Sequence, residues 1–440
     1  MKAQQSIHTG LPAARYYRAN DPQWHWLEAR NDPEVTAFLE AANQQQADWF
    51  APLAPLEETL YQSHLARREL AVTSLKTTLD HFTFWSKTGA EDNYPSWWRH
   101  PNSQPEQHEC FFDVSARAAK HDFYDMGDMA LSPDEQWLAW TEDTQGDERF
   151  TLWLKALPSG TPIPLLNDIG AGLCWAEDQT ATTATLLFTR FDDTQRPDSV
   201  WRLPLSLADP SASKEPVLVL REEDPEFWLG IGKTRSRSWL LLESGSKDTS
   251  EIHLVPAHTP ATKPLCIQTR QPGVEYSIDH RPGFYYRLHN QAGAHFQLDY
   301  LPDSQPGYSQ ASWQTLISHR EEATLEGVDA FSWGLMLAER DHDQAQVRLR
   351  RLVLDAQHDC TLDEYLTLPE QPCSQMLEDE PHFDSQVLRL REESFTQPPS
   401  WFALDLTNGE RTLLKRAPVY GNLQPEQLIS KRLWATSHDG

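Results

Sequence analysis

A hydrolytic serine usually sits on a tight Gly-x-Ser-x-Gly turn, and the fold brings a histidine and an acid to it. Only Gly307-Tyr-Ser309 has the first half of this pattern, and it continues as Gln310-Ala311, so the motif is incomplete. Ser246, within Glu243-Ser-Gly-Ser-Lys247, lies in a predicted loop, where a polar turn explains it. The local sequence therefore predicts no catalytic residue of this kind.

Metal and nucleotide motifs are also absent from the sequence. It contains no His-Glu-x-x-His, Cys-x-x-Cys or EF-hand pattern. Asp341-His-Asp343 and His108-Glu-Cys110 offer ligand-type side chains, but neighbouring residues on one loop rarely converge on an ion. Gly170-Ala-Gly172 and Gly230-Ile-Gly232 lack the third glycine and the following helix of a dinucleotide loop, so we predict turns between sheets. We expect no metal and no cofactor.

The composition is that of an acidic protein with a packed core. The 440 residues are 39% hydrophobic and 10% aromatic, and 65 acidic against 38 basic side chains give a net charge of −27. This charge argues against nucleic acid and anionic membranes, and it permits attraction of basic ligands. Its simplest role is to keep a large surface soluble. Many carboxylate pairs suited to glycoside hydrolysis exist, and no spacing rule selects one of them.

The cysteines and the ends of the sequence bear on the compartment. No apolar run is long enough to cross a bilayer, and Met1 to Arg18 contain no apolar segment of a secretory signal. The five cysteines are an odd number and lie far apart, as expected of free thiols in a reducing compartment. They are Cys110, Cys174, Cys266, Cys360 and Cys373. We therefore expect a cytoplasmic protein.

Residues 1–69 are predicted to be a helical segment. Asp32 is suited to cap a helix, Pro33 to its first turn and Glu34 to the positive end of its dipole. Apolar residues then recur at helical spacing. They are Val35, Phe38, Leu39, Ala42 and Trp49, and after Pro52 and Pro55 a second helix is expected to carry Leu56, Leu60 and Leu65.

From about Leu70 the pattern changes to short β-type runs separated by turn residues, such as Trp137-Leu-Ala-Trp140. The units recur about every 50 residues, close to the spacing of propeller blades. Seven units are predicted, over 70–115, 126–168, 172–221, 227–270, 273–319, 325–369 and 376–417. The fold class is therefore mainly β, a seven-bladed β-propeller over 70–418 preceded by the helical segment, with a junction over 419–440.

The loops between the second and third strands of every blade should fall on one rim of such a disc. Several of them are polar and acidic, over 142–148, 192–198, 243–251, 339–343 and 391–399. The simpler interpretation is solvated connectors. The alternative is a docking rim for a second domain or a basic peptide, with Glu142, Asp143, Asp147 and Glu148 as its candidate residues.

The sequence also resembles a known family along nearly its whole length. Trp24-His-Trp-Leu27, Asp32-Pro-Glu-Val35 and Phe38-Leu-Glu-Ala41 are similar to its opening helices. Leu131-Ser-Pro-Asp134 and the stretch from Leu138 to Glu148 resemble its most recognisable propeller segment. Further similar stretches are Asp248-Thr-Ser-Glu251, Pro272-Gly-Val-Glu-Tyr276, His319-Arg-Glu321, Leu325-Glu-Gly-Val328 and Lys431 to Gly440. The family is oligopeptidase B, within the prolyl oligopeptidase family of serine peptidases.

The resemblance implies a peptidase whose catalytic domain is absent from this sequence. In that family an α/β-hydrolase domain follows the junction, carries the serine, aspartate and histidine, and selects Arg or Lys at the cleavage position. The propeller acts there as a lid that admits short peptides. The sequence ends at Gly440, where that domain's first strand would begin, so no catalytic residue is assigned and we expect the chain alone to be inactive.

Three interpretations of function remain. The first is the propeller half of a truncated or split oligopeptidase B-like enzyme, with short basic peptides and a hydrolase domain as partners, in cis or in trans. The second is a stand-alone propeller that binds peptides or proteins without cutting them. The third, a glycosidase-type propeller enzyme, is disfavoured by the resemblance.

Overall fold

The computed structural model describes residues 22–29, 31–303, 313–344, 346–367, 372–421 and 423–439. Gly307-Tyr-Ser309, Met1 to Arg18 and Gly440 lie outside these residues. The chain divides into two compact units. One contains the described residues up to Glu69 and those within 419–423, and the other contains the described residues within 70–418 and 424–440.

The first unit is helical, as the sequence predicts. A 3-10 helix over Pro22–Glu28 precedes α1 (Pro33–Phe50), and a 3-10 turn over Ala51–Leu53 leads into α2 (Ala54–Leu65). The Asp32 carboxylate accepts the Glu34 backbone N–H at 2.9 Å, so the predicted cap is confirmed. Phe38 contacts the rings of Trp24 and Trp26, with centroids 6.5 and 5.3 Å apart.

The second unit is a seven-bladed β-propeller. Blades 1 to 4 contain β1 (Val72–Thr73), β2 (Thr77–Thr78), β3 (Phe82–Thr88), β4 (Ser96–Pro101) and β5 (Glu109–Asp113); β6 (Asp125–Leu131), β7 (Trp137–Asp143), β8 (Phe150–Ala156) and β9 (Ile163–Ile169); β10 (Leu173–Trp175), β11 (Thr183–Phe191), β12 (Pro197–Ser206) and β13 (Val217–Arg221); and β14 (Trp228–Lys233), β15 (Trp239–Gly245), β16 (Ser250–Pro256) and β17 (Leu265–Gln268). A short helix, α3 (Val114–Ala118), joins blades 1 and 2.

Blades 5 to 7 contain β18 (Tyr276–Arg281), β19 (Phe284–His289), β20 (Gln297–Pro302) and β21 (Gln314–Ile317); β22 (Ala323–Phe331), β23 (Gly334–Asp341), β24 (Gln346–Leu354) and β25 (Cys360–Tyr365); and β26 (Ser374–Leu377), β27 (Val387–Glu393), β28 (Ser400–Asp405) and β29 (Arg411–Arg416). Every strand pair in the described residues is antiparallel, so none of these sheets is the mainly parallel sheet of an α/β-hydrolase.

The hydrophobic core lies between the blades. Each of six clusters of buried apolar side chains contains residues of two consecutive blades, as when Leu187 of blade 3 packs with Leu240 of blade 4. A single sheet cannot bury both of its faces, so stacking the blades in a ring is what forms this core.

Blades 1 and 7 meet in a different way. In the described residues, the hydrogen bonds between them all use a side chain of blade 7. Lys415 donates to the Thr73 carbonyl at 2.7 Å, Arg389 to the Lys76 carbonyl at 2.7 Å, and the His382 ring contacts the Thr78 carbonyl at 2.9 Å. No described strand of blade 7 pairs with a strand of blade 1, so the ring closes without strand exchange.

One prediction about the glycines is wrong. Gly170 and Gly172 lie between β9 and β10, in the predicted turn between blades, but Gly230 and Gly232 lie inside β14. They pair with Glu243 and Leu241 of β15. Leu229 and Ile231 alternate with these glycines and pack in the core between blades 3 and 4. The alternation of apolar residues with a period of two therefore indicated a strand, although the glycines suggested a turn.

Candidate functional site

The loops between second and third strands lie on one face of the propeller, which we call the rim face. The propeller also begins and ends there, because Val72 of β1 pairs with Thr88, at the end of β3, and Arg416 of β29 pairs with Ser400, at the start of β28. The rim face is therefore the face at which the chain enters and leaves this unit.

Two of the four candidate rim residues are buried. Glu142 is 3% exposed and accepts two hydrogen bonds from the Arg117 guanidinium, one of them at 2.6 Å. The Trp140 indole N–H also donates to it, at 3.1 Å. Arg117 belongs to α3, so this carboxylate joins blade 2 to the connection that precedes it and is committed to structure.

Asp143 shapes the rim loop from inside. Its carboxylate accepts the backbone N–H groups of Gln145, Gly146 and Glu148 at 2.7, 3.0 and 2.9 Å. Burial on its own would raise the pKa of Asp143, but these hydrogen bonds outweigh it and hold the pKa below its usual value. The side chains of Asp147 and Glu148 are exposed. Of the four candidates, these two present carboxylates to solvent.

The same arrangement recurs in blade 6. Glu339, near the end of β23, is wholly buried, and its carboxylate contacts Arg320, Arg348 and Arg350, the last two at 3.3 and 3.4 Å. The Tyr365 hydroxyl donates to it at 2.6 Å. Burial would raise the pKa of Glu339, yet the Tyr365 hydrogen bond and Arg320 bring it below the ordinary value. Much of the acidity of the rim loops is therefore structural.

The opposite face contains a cavity of about 680 Å³. It is lined mainly by the loops between first and second strands of blades 1, 2, 4 and 7, and by the inner strands of blades 5 and 6. The ionisable residues that line it are Asp80, Glu135, Lys233, Arg235, Arg237, Asp279, Asp379, Glu380, His382 and Asp384. Acidic groups predominate.

Two arginines of blade 4 bridge this cavity. Arg235 contacts the Asp329 carboxylate of blade 6 at 2.5 Å and donates to the Glu380 carbonyl of blade 7. Arg237 contacts the Asp80 carboxylate of blade 1 at 2.8 Å and Glu177 of blade 3 at 3.2 Å. Each arginine therefore ties blade 4 to a non-adjacent blade across the cavity.

Asp279 is the carboxylate at the cavity with the most perturbed ionisation. Burial raises its pKa to about 7, against hydrogen bonds from the Ala330 and His280 backbone N–H groups at 2.6 and 2.7 Å. Burial likewise raises the pKa of Asp329, which Arg235 partly offsets. These groups favour a cationic ligand, because a positive charge nearby would stabilise their ionised forms.

The motifs that the sequence offered as candidate catalytic or metal-binding residues lie apart from this cavity. Ser246 forms the turn between β15 and β16 through a backbone hydrogen bond to Thr249 at 2.9 Å. His342 contacts the Glu321 carbonyl and the Thr324 hydroxyl, and Asp341 pairs with Arg348. His108 packs against Trp85 and His100. The bridging arginines were missed, although Lys233-Thr-Arg-Ser-Arg237 is a basic run in an acidic chain.

These features define a class, a seven-bladed propeller that the chain enters and leaves on one face and that has an acidic cavity on the opposite face. Residues 8–417 match the family described as prolyl oligopeptidase, N-terminal beta-propeller domain. The chain therefore belongs to the prolyl oligopeptidase family of peptidases, as its N-terminal propeller portion, which confirms the resemblance. Among the described residues, no helix is both long and apolar enough to cross a membrane.

Curated relatives include Protease 2 of Moraxella lacunata, 26% identical over 96% of this chain and 59% of its own length. Dipeptidyl aminopeptidase BI of Pseudoxanthomonas mexicana is 27% identical over 95% and 58%. Oligopeptidase B of Trypanosoma brucei, solved with covalently bound antipain, has a TM-score of 0.81 at 23% identity, covering 96% of this chain and 59% of that one. The chain thus spans about three fifths of the length of each of these three proteins.

Proposed function

We propose that this chain is the helical and propeller part of an oligopeptidase B-like serine endopeptidase that cleaves short peptides after Arg or Lys. The observation that carries the proposal is the family match over residues 8–417 on a complete seven-bladed propeller. The 26% identity with Protease 2 supports this branch of the family. The hydrolase domain would act in cis, or in trans as a separate chain.

In this proposal the rim face docks the hydrolase domain. Support comes from β1 and β29, which begin and end the propeller on that face, and from the exposed carboxylates of Asp147 and Glu148. Residues 70–418 serve as the propeller domain, 1–69 as the helical segment and 419–440 as the junction. Five cysteines without disulfides in the described chain support a reducing, cytoplasmic setting.

The propeller would act as the substrate-size gate. Arg235 and Arg237 would restrict the end of the channel opposite the rim face, so access there suits an extended peptide and excludes a folded protein. The acidic groups of the cavity would attract basic peptides, in agreement with the net charge of −27.

Activity measurements test this proposal directly. The chain alone lacks an assigned triad, so we expect no turnover of an Arg-containing fluorogenic peptide that a serine-directed inhibitor blocks. Mixing or co-expressing it with the hydrolase domain of an oligopeptidase B should restore Arg-directed cleavage. Inhibitor-sensitive cleavage by the chain alone would contradict the predicted inactivity, and absence of both a complex and activity would contradict docking.

A stand-alone binding module is the second candidate, which the acidic cavity favours because Asp279 suits a cationic ligand.

The helical segment offers a test that distinguishes the peptidase part from the stand-alone module. Leu39, Trp49, Leu56 and Leu60 are each about half exposed, while Phe38 is half-buried. Exposed apolar side chains of this size suit a protein partner. We expect the purified chain to bind a hydrophobic dye and to lose that signal with the hydrolase domain. A monodisperse chain that binds no dye would favour the module.

A further inference from the structure

Blade 4 brings together three side chains with the donor atoms of a transition-metal site. Glu251 and His253 lie on β16, and Cys266 lies on the neighbouring β17. One ligand atom from each lies within 4.8 Å of the other two, and within the described residues no other His, Cys, Asp and Glu group meets this geometry. His253 and Cys266 are directly paired across the strands, so the sheet fixes their separation.

The histidine has unused hydrogen-bonding capacity. Its Nδ1 atom is buried, and it has no hydrogen-bond partner within the described part of the chain. The other ring nitrogen, Nε2, lies 3.9 Å from Oε1 of Glu251, which is too long for a hydrogen bond. An ordinary histidine is mainly neutral at pH 7, which is the form that metals bind. The surrounding protein therefore leaves the imidazole without a strong polar contact.

The carboxylate of Glu251 is already oriented. Its Oε2 atom accepts the Arg270 backbone N–H at 2.9 Å, which leaves Oε1 on the side of His253. Oε1 also contacts the Arg270 guanidinium at 3.2 Å. That guanidinium makes its shortest contact with Glu222, which in turn accepts the Ser244 hydroxyl at 2.5 Å. Arg270 therefore keeps a carboxylate partner when Glu251 turns to a metal.

We propose that Glu251, His253 and Cys266 bind one divalent ion of the zinc class. Thiolate, imidazole and carboxylate together select zinc and its neighbours over Mg²⁺ or Ca²⁺, which prefer all-oxygen sites. Ligand bonds of about 2.0 to 2.3 Å require the three donor atoms to close in by roughly 1 Å from their present spacing. A water would complete the tetrahedron.

The binding step releases one proton. A cysteine thiol is mainly protonated at pH 7, so the sulfur enters as S–H. The ion takes the thiolate as a ligand, and the displaced proton passes to buffer. No oxidant or reductant takes part.

Titration of the reduced 440-residue chain with zinc, followed by isothermal titration calorimetry, tests the site. We expect one tight equivalent, with affinity lowered at least tenfold in C266S and in H253Q. The control is C360S, because Cys360 is an exposed cysteine in blade 6. Cobalt should give thiolate-to-metal charge-transfer absorption that C266S abolishes and C360S retains. Circular dichroism without metal verifies that the variants are folded.

Other results would overturn the assignment. Zinc bound with equal affinity by the wild type and C266S would place the ion elsewhere, at the other cysteines or the acidic surface. Failure of the wild type to bind zinc at millimolar concentration would leave the three residues without a metal role. A cobalt spectrum without thiolate charge transfer would remove Cys266 from the ligand set.

Discussion

Replacing Glu339 by glutamine tests whether the acidity of the rim loops is structural. Glu339 is wholly buried among three arginines. Arg348 retains Asp341 at 3.0 Å and Arg350 retains Asp363 at 2.6 Å, whereas Arg320 has no second carboxylate among the described residues. The substitution therefore leaves one guanidinium without its counter-charge.

The expected loss in the free energy of unfolding follows from this one unpaired guanidinium. Breaking one buried ion pair destabilises by about 3–5 kcal/mol. Arg320 is 26% exposed, so water recovers part of this, and we expect about 2–3 kcal/mol in the free energy of unfolding at pH 7. The matched control is D363N, the same type of change in the same cluster. Asp363 is 43% exposed, so a loss below about 1 kcal/mol is expected.

Urea unfolding followed by tryptophan fluorescence measures both variants. The pKa of Glu339 is lowered in the folded state, so its contribution is complete above the unfolded pKa and is lost as the pH falls through the folded value. The gap between wild type and E339Q should therefore shrink below about pH 4.5. Equal losses in E339Q and D363N, or a gap that does not change with pH, would refute the reasoning.

Three further predictions concern two other carboxylates and the contact between blades 1 and 7. D143A should lower the free energy of unfolding by about 2 kcal/mol, because three backbone N–H groups lose a charged acceptor. D147A, on the same loop, is the control and should change the free energy of unfolding by less than about 0.5 kcal/mol in the same assay. Asp279 has a raised pKa of about 7, so folded-state ionisation opposes stability as the pH rises from about 4 to 7. D279N should therefore gain stability relative to wild type over that range, by at most about 4 kcal/mol, and a pH-independent difference in thermal melts would contradict this. R389M should lower the melting temperature more than R68M in the helical segment, because Arg389 of blade 7 donates a hydrogen bond to the Lys76 carbonyl of blade 1. Equal melting temperatures of the two variants would count against a structural role of this contact.

The sequence predicted those features that local patterns determine. Asp32 and Pro33 mark the start of α1 because a cap and a first-turn proline act within a few residues. Seven blades followed from the repeat of short strands. The alternation around Gly230 shows that the period of a strand outweighs the turn preference of a single residue.

Features that depend on distant partners were out of reach of the sequence. In the sequence, Glu142 cannot be distinguished from an exposed acid of a loop. Its burial results from the fold, which places Arg117 beside it, and the spacing of residues along the chain does not show this contact. Arg235 reaches Asp329, nearly a hundred positions further along the chain. The pairing of His253 with Cys266 depends on a strand register that includes a bulge, which composition does not reveal.

The joint between blades 1 and 7 has a mechanical consequence. In the described chain no two blades share a ladder of backbone hydrogen bonds, but each of the other neighbouring pairs is consecutive along the chain. Blades 1 and 7 are not consecutive, and the side-chain hydrogen bonds of Lys415, Arg389 and His382 join them; we call these contacts the clasp. The clasp can be released while every sheet stays intact. Amide exchange should therefore be fastest at the inner strand of blade 1 and the outer strand of blade 7, and a widening of the channel would begin at this clasp rather than by loss of a blade.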